Sequence, residues 1–138
     1  MYDRLVVALD HSETSKRVLE VAKELATRAG SEVWVLHLRE REVIAQMGDV
    51  PSESDIEAKS GVEQAVEELT KAGVNAHGEI REATFGHAAR EILEDAKSHD
   101  VSVIVMGSRG RSELTSVLVG SVAHKVLHLA DRPVLAVR

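Results

Sequence analysis

The stretch Val101-Ser102-Val103-Ile104-Val105-Met106-Gly107-Ser108-Arg109-Gly110 decides how the chain is read. Its first six residues are mostly apolar and β-branched, which suits a buried strand. Gly107 and Gly110 then break the pattern, and after nine further residues come Gly120 and Ser121. From Ser121 to Leu129 the apolar residues recur at helical spacing. The order is therefore strand, glycine loop, helix. A glycine loop at the end of a strand lets backbone amides approach an anion. The helix start that follows adds unpaired N–H groups and the positive end of the helix dipole. Gly107 and Gly110 lack Cβ atoms and so permit close approach and positive φ. Gly120 and Ser121 give the helix start a small residue and a hydroxyl. The segment predicts a phosphate cradle; a plain strand-to-helix turn does not need the whole Gly-x2-Gly-x9-Gly-Ser spacing.

Outward from this segment, strands and helices alternate. Leu5-Val6-Val7-Ala8-Leu9 is a short apolar run ending at Asp10, the pattern of a strand buried on both faces. Asp10-His11-Ser12 then falls at the strand's C-terminal edge, where open α/β sheets bind ligands. By position Asp10 suits a ribose, adenine or metal contact, and equally a loop or cap carboxylate. A helix is predicted from Thr14 to Ala29, with Val18, Val21, Ala22, Leu25 and Ala29 inward and Gly30 as its C-terminal cap. Glu32 to Leu38 reads as the second strand, with His37 a strand residue lacking an evident partner.

Arg39 to Ser54 mixes charge with Gly48 and Pro51 and reads as a long loop, with a helical turn over Glu42 to Gln46. Ser54 and Glu57 form a capping box that opens a helix running to about Ala72. Its inward residues are Val62, Ala65, Val66 and Leu69, and Gly73 closes it. Val74 to Ile80 reads as a polar edge strand. Thr84-Phe85-Gly86 leads into a helix over Ala88 to Ser98, with His87 and Glu91 in solvent. Asp131-Arg132-Pro133 ends the last helix, and Val134 to Val137 is the final strand. This alternation specifies a parallel sheet with right-handed crossovers and helices on both faces.

Bulk properties narrow the function. The chain's 138 residues suit one domain spanning 1–138. Hydrophobic residues make up 43% and aromatics only 2%, namely Tyr2, Trp34 and Phe85. Val, Leu, Ile and Ala must therefore build the core, and a base-stacking surface has no material. The net charge of −6 opposes a general nucleic-acid partner. There is no cysteine, so thiol catalysis and thiolate metal sites are excluded. No apolar run is long enough for a signal peptide or membrane span, and a cytoplasmic location is the expectation. Arg111 and Ser112 follow Gly110 where a P-loop would carry lysine, and the dinucleotide fingerprint is absent. His124 and His128 share one helix face, but Lys125 stands where a zincin motif needs glutamate.

The glycine segment, together with Val7-Ala8-Leu9-Asp10, His37-Leu38 and Val105-Met106-Gly107-Ser108-Arg109-Gly110, resembles the universal stress protein family, in its ATP-binding branch. The resemblance covers essentially the whole chain. It implies a Rossmann-like, open five-stranded parallel sheet in the order 3-2-1-4-5, with the first and fourth strands as neighbours. It implies that Ala8, Leu9, Asp10 and Leu38 hold adenosine and that Met106 and Gly107 lie beside the ribose. Arg109, Gly110, Gly120, Ser121 and Val122 would line the phosphates, mostly through backbone amides. Mg²⁺ would accompany the nucleotide, with Asp10 as its protein ligand. ATP is the implied nucleotide, with AMP and ADP as alternatives. Ala123 departs from the hydroxyl residue that ATP-binding members often carry; one lost hydrogen bond to a charged group is worth roughly 1.5–3 kcal/mol. The resemblance also implies a homodimer paired through Val134 to Val137. The expected function is a dimeric adenine-nucleotide sensor in stress response, with little catalysis and an unnamed regulatory partner. Two readings stand beside it: a nucleotide-free scaffold of the same fold, and a weak ATPase or autokinase.

Overall fold

The computed structural model describes residues 1–10, 13–44, 48–51, 55–84, 86–109 and 120–138, without the side chains of 40–44, 48–51 and 55. In chain order the elements are β1 (Arg4–Leu9), α1 (Ser15–Ala29), β2 (Glu32–Ile44), β3 (Gly48–Pro51), α2 (Asp55–Lys71), β4 (Asn75–Thr84), α3 (Ala88–Ser98), β5 (Val103–Gly107), α4 (Ser121–Leu129) and β6 (Val134–Val137). Five strands form a parallel sheet in the order β4-β2-β1-β5-β6. Counting only these five, this is the expected order 3-2-1-4-5. The short β3 is a sixth strand, antiparallel to the end of β2.

Side-chain alternation explains why both faces are covered. In β1, Leu5 and Val7 point to one apolar cluster and Val6 and Ala8 to the other. In β5, Val103 and Val105 join the first cluster and Ile104 and Met106 the second. The first cluster takes Val18, Leu19, Ala22 and Ala26 of α1 with Ala65 and Leu69 of α2. The second takes Ala89, Ile92 and Ala96 of α3 with Ala123 and Val126 of α4. Strands buried on both faces are the continuous apolar runs of the sequence. Gly30 ends α1 at φ 69°, its N–H donating to the Ala26 carbonyl.

Some expectations fail on the residues described. Arg39 to Ile44 is not loop or helical turn: β2 continues through it, and Gly48–Pro51 returns alongside it as β3. The reason lies in β4, which runs on to Thr84 and pairs with β2 as far as Arg41. Arg39 stands opposite Glu82 in that ladder, with Nη1 and Oε1 3.2 Å apart. A cross-strand ion pair supplies what the charged sequence lacks in apolar pattern. Glu91 is likewise not free in solvent: its carboxylate lies 3.1 Å from Arg81. Gln46, Ser54 of the capping box, and Phe85 lie outside the described residues.

Candidate functional site at the β1–β5 edge

β1 and β5 are parallel neighbours, with Ala8 opposite Met106. Their C-terminal ends therefore meet at one edge, and the helices that leave them, α1 and α4, start there. The chain runs outward on opposite sides of this point, from β1 to β2 and from β5 to β6. This is the topological switch point, at which sheets of this kind open a crevice.

Packing at the edge is tight. A Cβ on Gly107 would stand 3.2 Å from the Arg109 carbonyl oxygen and 3.4 Å from Thr14 Oγ1. Gly107 is not among the glycines with positive φ. Of the two freedoms glycine allows, it uses close approach, between β5, the following turn and the start of α1. Gly120 has φ −69° and ψ 162°, an extended conformation open to any residue. It is buried, and its N–H donates to the Ser108 carbonyl at 2.5 Å. Its own carbonyl accepts the His124 N–H at 2.8 Å. The segment that departs at Ser108 is thus tied back to its origin as α4 begins, and the first-turn amides of α4 precede its first intrahelical bond.

The other expected residues that are described lie on the two faces of the sheet and at the edge itself. Ala8, Leu38, Met106 and Val122 all pack in or against the cluster on the α3–α4 face. Leu9 packs on the opposite, α1 face. Asp10, just past Leu9, accepts the Ser15 hydroxyl at 3.2 Å on Oδ1. Arg109 is half-buried, and Ser121 is exposed at the first position of α4. Gly110, with His11, Ser12 and Arg111, lies outside the described residues. Ala123 is 2% exposed and faces the apolar core.

Two residues at the edge escaped the sequence reading. His37 is buried, and its Nδ1 lies 3.0 Å from the Leu9 carbonyl. A carbonyl only accepts, so Nδ1 carries the hydrogen. This bond ties the end of β1 to the middle of β2 just before Asp10. A lone histidine inside an apolar strand was its signal. Ser108 is 3% exposed, and its Oγ has no hydrogen-bond partner among the described residues. The buried Nε of Arg109 has none either. Orphaned buried donors are rare, and these two sit where the glycine turn leaves β5.

His124 and His128 are exposed, with ring centroids 6.4 Å apart. No third metal-binding side chain joins them among the described residues. Burial raises the pKa of the Asp95 carboxyl, but Asp95 lies on α3 facing β4, away from this edge. Among the described residues no helix is long and apolar enough to cross a membrane.

A doubly wound parallel sheet with a glycine packed tightly at its switch point defines a class of open α/β domains. Within that class the chain belongs to the universal stress protein family, whose family model matches residues 1–138. It is 34% identical to universal stress protein YxiE of Bacillus subtilis, over the full length of both chains. The solved structure of protein MJ0577, a universal stress protein of Methanocaldococcus jannaschii, superposes with a TM-score of 0.80 at 28% identity, covering 99% of this chain and 96% of that one. A universal stress protein from Archaeoglobus fulgidus, solved in complex with dAMP, gives a TM-score of 0.75 at 28% identity, with 99% and 98% covered.

Proposed function

We propose that this protein binds an adenine nucleotide, foremost ATP, at the β1–β5 edge and acts as a dimeric sensor with little catalysis of its own. The observation that carries the reading is the pair of orphaned polar atoms, Ser108 Oγ and Arg109 Nε, beside a glycine turn and a helix start. Such groups find their partners in a bound anion. The dAMP complex of the Archaeoglobus fulgidus relative is in keeping with this choice of ligand.

In this reading Ala8, Leu9, Asp10 and Leu38 hold the adenosine, and Met106 and Gly107 back the ribose. Arg109, Gly110, Ser121 and Val122 meet the phosphates, while Gly120 closes the turn that shapes their cradle. Arg109 supplies positive charge, and the α4 N-terminus adds its amides and dipole. Mg²⁺ would arrive with the phosphates, and Asp10 is the carboxylate at this edge that would hold it. The single domain of 1–138 pairs with a second copy through β6, the strand at one end of the sheet. The bound nucleotide then alters a surface read by a regulatory partner in the cytoplasm.

The test is a calorimetric titration with Mg-ATP of the wild type and Gly120→Val. Valine adds side-chain bulk at this buried position. Saturable binding in the wild type, its loss in the variant and an unchanged dimer by light scattering are expected. Equal affinity in both proteins contradicts the assignment.

A further inference from the structure

We infer that Glu79, Asp95 and His99 form a binding site for a divalent transition-metal ion of the zinc class, between edge strand β4 and helix α3. The three side chains already converge. His99 Nε2 lies 2.6 Å from Glu79 Oε1 and 3.7 Å from Asp95 Oδ1. One candidate ligand atom from each residue lies within 4.8 Å of the other two. Two donors held about 2.1 Å from one zinc ion stand at most about 4.2 Å apart, so small side-chain rotations close the set.

The fold explains the meeting. Asp95 lies on α3 and His99 caps its C-terminus one turn later, and Glu79 stands on the strand that α3 overhangs. The His99 ring is stacked on Trp34 of β2, centroids 4.4 Å apart, which fixes its plane.

Unsatisfied oxygens point to a missing cation. Asp95 is 3% exposed, and its Oδ2 accepts no hydrogen bond among the described residues. The same holds for Glu79 Oε2. Buried carboxylate oxygens without a donor are costly, and a cation removes that cost. The charge balance leans the same way. Arg81 meets Glu91 at 3.1 Å, Asp95 at 3.4 Å and Glu94 at 3.8 Å. Three carboxylates thus share this one guanidinium, while Glu79 pairs with His99. Arg81 engages Oδ1 of Asp95, which leaves Oδ2 for the metal.

An imidazole with two carboxylates favours zinc over magnesium or calcium, which take oxygen ligands. A groove of about 620 Å³ runs past Glu79, Arg81, Asp95 and His99, giving an ion a way in and room for a water as fourth ligand.

The test uses the full chain stripped with chelator and titrated with Zn²⁺ alone. Trp34 is the chain's one tryptophan, so its emission reports on the His99 ring beside it. Saturation at one ion per chain is expected in heat and in Trp34 emission. His99→Gln and Asp95→Asn should each weaken binding by about tenfold or more. The double variant His124→Gln, His128→Gln should bind as the wild type does. His99 is partly exposed, so His99→Gln keeps the test decisive if Asp95→Asn does not fold. The proposal is overturned if no saturation appears below millimolar zinc. It is equally overturned if His99→Gln binds as well as the wild type, or if binding disappears with the α4 histidines.

Discussion

Asp95 shows how a single residue sets its own chemistry. It sits in the apolar stripe of α3 between Ile92 and Ala96, which carry it into the interior. Burial, and next the neighbouring Glu79 carboxylate, push its carboxyl up from 3.8 to about 7, against the pull of His99 and Arg81. Between those two values the folded chain keeps a proton that the unfolded chain has lost. Stability therefore falls as pH rises through this window and levels off above about 7. This is the reverse of the usual ion-paired carboxylate. In chelator-treated protein, urea unfolding at pH 5 and pH 8 should show the wild type losing stability relative to Asp95→Asn at the higher pH. Parallel curves for the two proteins would contradict the placement of that proton. The residue was legible only in part. A charged side chain in an apolar stripe is visible in sequence, and His99 follows it at helical spacing, but Glu79 reaches it from β4 through tertiary folding, which periodicity does not encode.

At the scale of elements, packing of β4 against α2 depends on Gly78. A Cβ there would fall 2.5 Å from Val62 Cγ1 and 3.2 Å from Val66 Cγ2. Valine is stiff at χ1, so the helix must shift to make room. Gly78→Ala should cost about 1–3 kcal/mol in urea unfolding. Adding Val62→Ala should return part of that loss, although the second change alone destabilises; a purely additive pair would contradict the contact. The long apolar elements were readable because one period decided each. Helix α3 spans Ala88–Ser98 and β6 spans Val134–Val137, as read from the sequence. The extension of β2 to Ile44 was not readable. Arg39 and its neighbours alternate charge instead of hydrophobicity, and what makes them strand is a partner some forty residues away.

For the whole molecule, the decisive feature is where the sheet reverses. The order β4-β2-β1-β5-β6 brings Asp10 and Gly107, nearly a hundred residues apart, to one edge. The glycine spacing made that edge legible in sequence. The orphaned Ser108 and the His37–Leu9 bond did not show there, since both depend on which neighbour a buried polar atom meets. The central claim is that this edge holds an adenine nucleotide. Denaturing freshly purified protein and identifying what it releases, by chromatography and mass spectrometry, tests it most directly. The account predicts an adenine nucleotide approaching the molar amount of protein, and none from Gly120→Val. A wild-type protein that releases nothing and fails to take up added Mg-ATP would contradict it.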